Sequence, residues 1–356
     1  MANFKITQAE KTRINDIDYG KLGFGLYFSD HVFEANYRDN KWQEPEIKPY
    51  GPMPVEPGMC TLHYGQSIFE GLKAFPTKDG ANLFRPEMNA KRLNRSAERV
   101  CIPQFDEALL VEGIKELVKT DKKFIPQKRG EALYIRPVAY GSSNFLGVHA
   151  SSEYKLIVMT SPVASYYKEG LNPIRILVED KYVRAVEGGL GSAKTAANYA
   201  ASLKAGEEAK KKGYAQVLWL DALTRGMIDE VGAMNIMFVI DDELVTPPLD
   251  KGTILAGVTR NSVLHLAREW GMKVSERELK INELVDYAHQ GKLQEAFGTG
   301  TAAVISPVGL FHYKGEDIII NDQKIGPVAQ KFYDTITGIQ YGEIEDKFGW
   351  ITKVEF

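Results

Sequence analysis

The chain has 356 residues, of which 44% are hydrophobic and 26% are charged, and its formal net charge is -3. This length exceeds what one hydrophobic core usually supports, so two domains are expected, and the weak negative charge argues against nucleic acid or an anionic membrane as a partner. Two cysteines, six histidines without paired ligand spacing and no long apolar run predict no disulfide framework, no metal site and no membrane span. The first residues lack a signal core and a transit pattern, which favours a cytoplasmic protein.

Sequence periodicity predicts helices and strands in both halves of the chain. In the first half we expect helices over 85–101 and 109–118, followed by strands over 134–138 and 154–159. In the second half we expect strands over 174–178 and 216–220, helices over 198–212 and 257–270, and a hairpin of 235–240 with 243–246.

Between these halves, Gly170, Asn172 and Pro173 interrupt the periodicity, so residues 166–173 are predicted to be a linker. The sequence therefore predicts a smaller α/β domain over 1–165 and a larger domain over 174–356. The fold class is α+β or mixed α/β, and the crevice between the two domains is where a ligand is expected.

Lys194 lies in a run of glycines, alanines and other small residues that begins at Gly188, with Tyr199 five positions further on. A long amine among small side chains has room for a bulky planar partner and little to neutralise it, which suits a lysine that forms a Schiff base with an aldehyde. The alternative is an exposed lysine after a flexible loop, and this segment alone favours that alternative.

Further segments provide the other groups that pyridoxal phosphate requires. Glu230, at the start of an apolar strand, offers an acid for the pyridine nitrogen, and Tyr199 offers a hydroxyl for the phenolic oxygen. The helix that opens at Gly257 and the small-residue turn 298–303 both offer backbone N–H groups to a phosphate, and Arg92 offers a guanidinium. Each segment also has an ordinary structural explanation when it is considered alone.

Eight stretches, in this order, form a more specific pattern. They are LHYG at 62–65, FEGLKAF at 69–75, LFRP at 83–86, YIRP at 134–137, QVLWL at 216–220, EVG at 230–232 with MN at 234–235, LVTPPL at 244–249 and FGTGTA at 297–302. With these motifs the chain resembles the branched-chain amino acid aminotransferases, which are fold-type IV pyridoxal phosphate enzymes. The resemblance extends over residues 23–341.

The resemblance implies a two-domain fold-type IV architecture with pyridoxal 5'-phosphate in the interdomain crevice. It implies that Lys194 is the catalytic Schiff-base lysine and proton shuttle, that Glu230 faces the pyridine nitrogen and that Tyr199 contacts the phenolic oxygen. Arg92, rather than Arg95, matches the family's phosphate-binding arginine. The remaining implied cofactor contacts are Leu255 under the ring and Val258, Thr259 and Thr299 around the phosphate.

The resemblance also implies a substrate site that is shared between the subunits of a homodimer. Its implied residues are Phe24, Phe69, Tyr134 and Tyr166 around the side-chain pocket, Thr301 and Ala302 at the α-carboxylate, and Tyr64, Leu146 and Val148 from the second subunit. An aromatic wall suits leucine, isoleucine and valine, because each buried CH₂ contributes about 0.8 kcal/mol.

Glutamate and 2-oxoglutarate bring a second carboxylate to the same pocket, so a cation is needed there. Arg136 beside Tyr134 is the candidate, moving only when the acid is present, and a fixed structural ion pair is the alternative for this arginine. The implied reaction is a ping-pong transfer of an amino group from a branched-chain amino acid to 2-oxoglutarate. Shuttling the proton requires a Lys194 pKa near neutrality, which a dry and positively charged site favours.

Three positions depart from the family pattern. Ala233 stands where relatives often have threonine, which puts one polar contact near the cofactor in doubt. Ala303 and Ser306 stand where mammalian members carry Cys-x-x-Cys, so a thiol switch is excluded at that site. Thr259 stands where some relatives have valine, and its hydroxyl is compatible with phosphate binding.

Three other functions compete with this interpretation. Residues 188–195 come within one residue of the P-loop pattern, with Ala193 where the last glycine belongs, which would make the chain a phosphotransferase. A D-amino acid aminotransferase or a chorismate-type lyase of the same fold would reuse Lys194 and Glu230. A catalytically silent relative that acts as a binding module is the third, and the retained lysine, glutamate and tyrosine argue against it.

Overall fold

The computed structural model describes residues 4–164 and 171–356, and the chain divides into two compact units. Unit 1 comprises Met1–Tyr166, Ala193–Ala196 and Gly338–Phe356, and unit 2 comprises Tyr167–Ser192 and Ala197–Thr337. Part of the predicted linker 166–173, with Tyr166, lies outside the described residues. The predicted domain boundaries remain a prediction. Two segments of the predicted second domain, 193–196 and 338–356, belong to unit 1.

The described residues of the first half of the chain form nine strands and three helices. Its elements are β1 Lys5–Ile6, β2 His31–Arg38, β3 Lys41–Trp42, β4 Glu46–Pro49, α1 Cys60–Tyr64, β5 Ser67–Phe69, β6 Leu72–Thr77, β7 Gly80–Phe84, α2 Pro86–Arg99, α3 Glu107–Thr120, β8 Ala132–Gly141 and β9 Tyr154–Val163. Short 3₁₀ turns lie at Ile14–Asp16 and Lys122–Phe124.

The described residues of the second half form ten strands and four helices. Its elements are β10 Ile174–Glu179, α4 Ala196–Lys211, β11 Gln216–Leu220, β12 Ile228–Val231, β13 Met234–Ile240, β14 Glu243–Thr246, α5 Val258–Glu269, β15 Lys273–Glu276, α6 Ile281–His289, β16 Leu293–Gly300, β17 Val304–Tyr313, β18 Glu316–Ile319, α7 Pro327–Tyr341 and β19 Ile351–Glu355. A 3₁₀ turn lies at Asn321–Gln323. Every helix and strand that periodicity predicts is present, within a few residues at its ends, so the predicted α+β class is confirmed.

Unit 1 is built on a largely antiparallel sheet with the strand order β1-β4-β2-β9-β8-β6-β7-β19, to which β3 and β5 add as side pairings on β2 and β8. Helix α3 packs on this sheet through Leu110, Ile114 and Leu117, which recur at helical spacing and are buried. Its Gly113 faces Phe33 of β2, and a Cβ at this glycine would lie 2.3 Å from the Phe33 ring. The helix therefore approaches the sheet closely because this position has no side chain.

Unit 2 is built on a sheet that closes on itself. The order is β12-β11-β10-β17-β16-β13-β14-β15, and β12 also pairs with β13, so six strands from β12 to β13 form a ring. Buried apolar side chains of these strands, among them Ile176, Leu218, Val231 and Phe311, form one core cluster. No helix in the described part of the chain has both the length and the apolar character needed to cross a bilayer.

Candidate active site

Lys194 is held in unit 1 by backbone contacts to segments about a hundred residues away. Its N–H donates to Ser96 Oγ of α2 at 2.9 Å, and its carbonyl accepts the Phe69 N–H of β5 at 3.0 Å. The next residue, Thr195, forms an isolated β-bridge with Ile68. The loop is therefore fixed in place immediately before helix α4, and the side chain of Lys194 has a defined starting direction.

The amine of Lys194 lies among aromatic and charged side chains. Its Nζ is 4.8 Å from the centroid of the Phe69 ring. Burial and the positive charge of Arg92 lower the pKa of Lys194 to about 8, although Glu70 opposes this. The alternative of an exposed lysine is therefore not what the structure shows, because the residue is partly buried and its amine is surrounded.

Glu70 and Arg92 form a buried ion pair beside this lysine. Arg92 donates from Nε to Glu70 Oε1 at 2.7 Å and from Nη2 to Oε2 at 2.9 Å, and Asn89 Nδ2 donates to Oε2 at 2.8 Å. Although burial opposes its ionisation, the Arg92 guanidinium, with help from Lys194 and Asn89, holds the pKa of Glu70 below its usual value. The arginine expected at the phosphate is thus fixed by an internal carboxylate.

An aromatic wall follows strands β5 and β8. Phe24 and Tyr134 pack edge to face with ring centroids 4.9 Å apart. Arg136 donates from Nη2 to the Tyr134 hydroxyl at 3.0 Å, and its guanidinium lies 4.8 Å from the centroid of the Phe69 ring. Among the described residues no carboxylate lies within ion-pair distance of Arg136, and its buried Nε has no hydrogen-bond partner there. The ion-pair alternative for this arginine therefore finds no support.

Gly71 permits this wall to close. A Cβ at this position would lie 2.0 Å from the Tyr134 hydroxyl, far inside contact distance. Two residues after Gly71, Lys73 of β6 pairs directly with Tyr134 across the ladder and is 7% exposed. Burial lowers the pKa of Lys73 to about 8. The sequence analysis missed this second buried amine, although the alternation of Phe69, Gly71 and Lys73 on one face of an extended segment could have indicated it.

The residues expected to serve a partner subunit are exposed in unit 1, Tyr64 at the end of helix α1 and Leu146 and Val148 in the loop between β8 and β9. The Tyr64 hydroxyl donates to the carbonyl of Leu146. The side chains of Leu146 and Val148 are 71% and 87% exposed, which is unusual for large apolar residues so close together in sequence. Their placement agrees with the expected second-subunit role without testing it.

In unit 2, Glu230 lies within β12 and is buried, rather than at the mouth of a strand as the sequence suggested. Its Oε1 accepts hydrogen bonds from Leu255 N at 2.8 Å and Asn235 Nδ2 at 3.2 Å. Its Oε2 lies 3.0 Å from Arg184 Nε, in a geometry that is an ion pair rather than a hydrogen bond. These contacts fix the plane of the carboxylate. Sequence reasoning assigned no role to Arg184 or Asn235.

Three of the four groups expected around the phosphate lie in unit 2, whereas Arg92 lies in unit 1. Helix α5 begins at Val258 and Thr259, after Gly257, with no side chain capping its first N–H groups. Thr299 pairs with Asn235 across β16 and β13, and its buried Oγ1 has no hydrogen-bond partner among the described residues. Open N–H groups at a helix start and an unsatisfied hydroxyl are what a phosphate needs, so these residues fit pyridoxal phosphate.

Gly257 explains why helix α5 can start here. A Cβ at this glycine would lie 2.0 Å from Asn235 Oδ1. Asn235 also donates from Nδ2 to the Leu255 carbonyl at 2.9 Å, so one side chain joins the approach to the helix with the Glu230 carboxylate. Thr301 and Ala302 lie in the turn between β16 and β17 and are partly exposed, and Tyr199 is partly exposed in the first turn of α4.

The residues expected to bind cofactor and substrate thus form one group within unit 1 and another within unit 2. In unit 1 it brings together Phe24, Phe69, Arg92, Tyr134, Arg136 and Lys194, and in unit 2 it brings together Glu230, Leu255, Val258, Thr259 and Thr299. The P-loop alternative lacks its structural context, because the described residues 180–195 contain no strand, only the bridge at Thr195. A P-loop follows directly from a strand.

Comparison with known proteins agrees with this arrangement. Residues 67–311 match the family described as amino-transferase class IV. The chain is 53% identical over 339 residues to branched-chain-amino-acid aminotransferase 2 of Bacillus subtilis (strain 168), with 95% of this chain and 93% of that protein covered. It is 48% identical over 355 residues to branched-chain-amino-acid transaminase 1 of the same strain, with 98% and 99% covered.

Solved structures extend the likeness to the fold. The branched-chain amino acid aminotransferase of Escherichia coli superimposes with a TM-score of 0.76 at 28% identity, covering 92% of this chain and 99% of that one. The branched-chain amino acid aminotransferase of T.th., solved with pyridoxamine 5'-phosphate, superimposes with a TM-score of 0.75 at 26% identity, covering 94% and 99%.

Proposed function

Because the chain belongs to the class IV aminotransferases, as its motifs predict, we propose that it transfers the amino group of leucine, isoleucine or valine to 2-oxoglutarate. The predicted fold-type IV architecture and the predicted cofactor, pyridoxal 5'-phosphate, are confirmed by the same relatives. The structural observation that carries the proposal is the amine of Lys194, whose pKa is lowered to about 8 beside an aromatic wall and a fixed arginine.

The roles of individual residues form the next part of the proposal. Lys194 is the amine that joins the cofactor aldehyde, and Glu230 is the acid at the pyridine nitrogen. Arg92, Val258, Thr259 and Thr299 are the phosphate ligands, and the N–H groups of α5 together with the open Thr299 hydroxyl support this assignment. Leu255, Tyr199, Thr301 and Ala302 keep the roles that the family resemblance implies.

When bound, pyridoxal phosphate supplies the electron sink that acidifies the α-proton of an amino acid. Lys194 takes and returns a proton at Nζ, and a pKa of about 8 lets the amine exist in both protonation states near neutral pH. Glu230 is oriented by its contacts with Arg184, Asn235 and the Leu255 N–H. The hydrogen bonds to Oε1 leave the carboxylate in a fixed plane before any ligand enters.

Substrate selection follows from the aromatic wall. Phe24, Phe69 and Tyr134 offer apolar surface to a branched aliphatic side chain, and each buried CH₂ contributes about 0.8 kcal/mol. Arg136 lies at the same wall, held by stacking and one hydrogen bond rather than by a carboxylate. It is the cation that meets the distal carboxylate of 2-oxoglutarate or glutamate.

Visible absorption of the purified protein tests the activity. We expect a band that disappears when leucine is added and returns with 2-oxoglutarate. Lys194→Ala abolishes this response, whereas Lys204→Ala, which removes an exposed lysine of α4 paired with Glu208, leaves it intact. A protein that remains colourless after incubation with pyridoxal phosphate contradicts the proposal.

A homodimer is the third part of the proposal. The exposed side chains of Leu146 and Val148, with Tyr64 against the Leu146 carbonyl, support a surface that a second copy covers. Sedimentation of wild type and Val148→Asp tests it. We expect a dimer in wild type and a shift toward monomer in the variant, with Leu203→Asp, at an exposed leucine of α4, as the control. A monomeric wild-type protein contradicts the proposed homodimer and leaves the proposed activity unaffected.

A further inference from the structure

Unit 2 contains a small cavity that none of the roles above uses. Its volume is about 60 Å³, which is room for about four to six waters. Apolar walls come from Leu223, Met227, Pro247, Pro248 and Ile254. The charged groups that line it are Glu187, Asp221, Asp229, Asp250, Lys251 and Glu278, five acids and one base.

Asp229 is the buried carboxylate of this cavity. The residue is 7% exposed, and it lies in β12 immediately before Glu230. Its Oδ1 accepts a hydrogen bond from Thr253 Oγ1 at 3.3 Å, whereas its Oδ2 has no hydrogen-bond partner among the described residues. A buried carboxylate oxygen without a hydrogen-bond donor is unfavourable. A ligand in the cavity that donates a hydrogen bond to Asp229 Oδ2 would remove this cost.

The neighbouring charges are already engaged with protein groups. Asp221 accepts the N–H groups of Thr224, Gly226 and Met227, which satisfies its carboxylate within its own turn. Lys251 is paired with Glu278.

Arg184, whose positive charge also acts on the Asp229 carboxylate, is paired with Glu230. Lys251 is the one base that lines the cavity, and its pairing with Glu278 makes it unavailable to a ligand carboxylate. Glu187 and Asp250 add further negative charge. This balance attracts a cation and disfavours a zwitterionic amino acid.

A bare metal ion is a poor match for the same site. No group of three or more His, Cys, Asp or Glu side chains within the described ranges is arranged to hold a metal. The walls are mostly apolar, which suits alkyl groups rather than a hydration shell. The occupant therefore has both an N–H donor and an apolar body.

We propose that this cavity binds a small alkylammonium ion, with one N–H donating to Asp229 Oδ2 and the alkyl groups lying against Leu223, Met227 and Ile254. The inference does not rest on the aminotransferase activity, because every residue it uses lies outside the proposed cofactor and substrate contacts. Asp229 is adjacent to Glu230 in sequence, but successive residues of a strand point to opposite faces.

Trimethylammonium is the probe, because it has one N–H donor and, as a tertiary amine, forms no imine with an aldehyde cofactor. Tetramethylammonium has the same charge without a donor. Calorimetric titration of the cofactor-bound full chain at pH 7 should show binding of trimethylammonium about tenfold tighter than that of tetramethylammonium, the equivalent of about one hydrogen bond. Equal affinities, or no binding of either ion, overturn the proposal in favour of a cavity filled by water.

Asp229→Asn tests the residue itself, because it keeps the shape and removes the charge. We expect a loss of about tenfold or more in trimethylammonium affinity, as for an ion pair with one partner neutralised. Asp242→Asn is the matched control. It makes the same change in the turn between β13 and β14, where Asn tolerates the positive φ of 62°, and it should bind as wild type does. Unchanged binding in Asp229→Asn overturns the proposal.

The pH dependence of wild-type binding gives a test that needs no variant. Burial, opposed by Arg184 and reinforced by Glu230 and Asp221, raises the pKa of Asp229 to about 6. The other charged groups at the cavity are Glu187, Asp250, Lys251 and Glu278. A cation binds the ionised form, so affinity should be level above pH 7 and fall about tenfold per pH unit below pH 6. Affinity that is level down to pH 4.5 contradicts Asp229 as the ligand-binding group.

Discussion

Two hydrogen bonds join the guanidinium of Arg92 to the carboxylate of Glu70, 2.7 Å from Nε to Oε1 and 2.9 Å from Nη2 to Oε2. Both residues are buried, and Asn89 and the Gly71 N–H complete the carboxylate's contacts. The pair joins helix α2 to the segment between β5 and β6, which also contains Gly71 and follows Phe69 of the aromatic wall. It therefore positions the proposed phosphate arginine before any phosphate is present.

Glu70→Gln should strongly destabilise the cofactor-free protein. The substitution removes the negative charge and leaves Arg92 with an uncompensated buried charge, which costs about 3–5 kcal/mol in the free energy of unfolding. Urea denaturation measures this loss. The control is Glu112→Gln, which breaks the 2.7 Å ion pair of Glu112 with Lys115 on the surface of α3 and should cost about 0–1 kcal/mol. Equal losses in the two variants contradict the structural role of Glu70.

The rate at which the cofactor-free protein combines with pyridoxal phosphate should depend on pH through Lys194. Burial and Arg92 lower the pKa of this amine to about 8, and only the unprotonated amine attacks an aldehyde. The rate should therefore rise about tenfold per pH unit below pH 8 and level off above it. Stopped-flow absorbance between pH 7 and pH 10 measures this profile, and a rate still rising at pH 10 indicates an unperturbed lysine.

Much of the fold follows from local sequence signals. Asp106 before α3 accepts the Leu109 N–H, and the buried apolar residues of that helix recur at its period. The positions of β8 and β9 follow from their runs of β-branched and aromatic residues. These signals act within a few residues of one another, so periodicity and capping chemistry capture them.

Local sequence signals do not predict the closure of the unit 2 sheet or the contacts of the site residues. The pairing of β12 with both β11 and β13 depends on contacts over the whole ring, which no local pattern encodes. The contact of Arg184 with Glu230 joins two segments that are far apart in the sequence. Motifs identified Lys194 and Glu230, whereas the groups that tune them were found only in the folded chain.

Lys73→Met should stabilise the protein at neutral pH. Burial lowers the folded-state pKa of Lys73 to about 8, below the value of 10.5 expected for an unfolded lysine, so the unfolded state binds this proton more tightly. Burying protonated Lys73 therefore lowers the free energy of unfolding by on the order of 3 kcal/mol at pH 7, and this cost disappears as the pH rises from 8 through 10.5. Denaturation at pH 7 and pH 10 should show the advantage of the variant shrinking. An advantage that does not change with pH contradicts this origin.

Thr299→Val should separate cofactor binding from stability. The Thr299 hydroxyl is buried without a partner among the described residues, so its removal should leave the stability of the cofactor-free protein unchanged or raised. Loss of a phosphate hydrogen bond should weaken cofactor affinity by about tenfold, measured by fluorescence titration. Thr246→Val is the control, because that hydroxyl donates to the Ile236 carbonyl at 2.7 Å. It should cost about 1–3 kcal/mol of stability with little effect on cofactor affinity, and the opposite pattern contradicts the assignment.

Arg136→Met should separate the two half-reactions. Arg136 is held by a hydrogen bond to Tyr134 and by stacking on Phe69 rather than by a carboxylate, so its charge is available to an acidic substrate. Removing a charged hydrogen bond should raise the KM for 2-oxoglutarate about tenfold or more, while methionine keeps the apolar wall and the KM for leucine changes little. Arg129→Met, at an arginine stacked 4.2 Å from the centroid of the Tyr341 ring, is the control and should leave both constants unchanged. Equal increases in the KM values for leucine and 2-oxoglutarate would show that Arg136 maintains the structure of the aromatic wall instead of binding the acidic substrate.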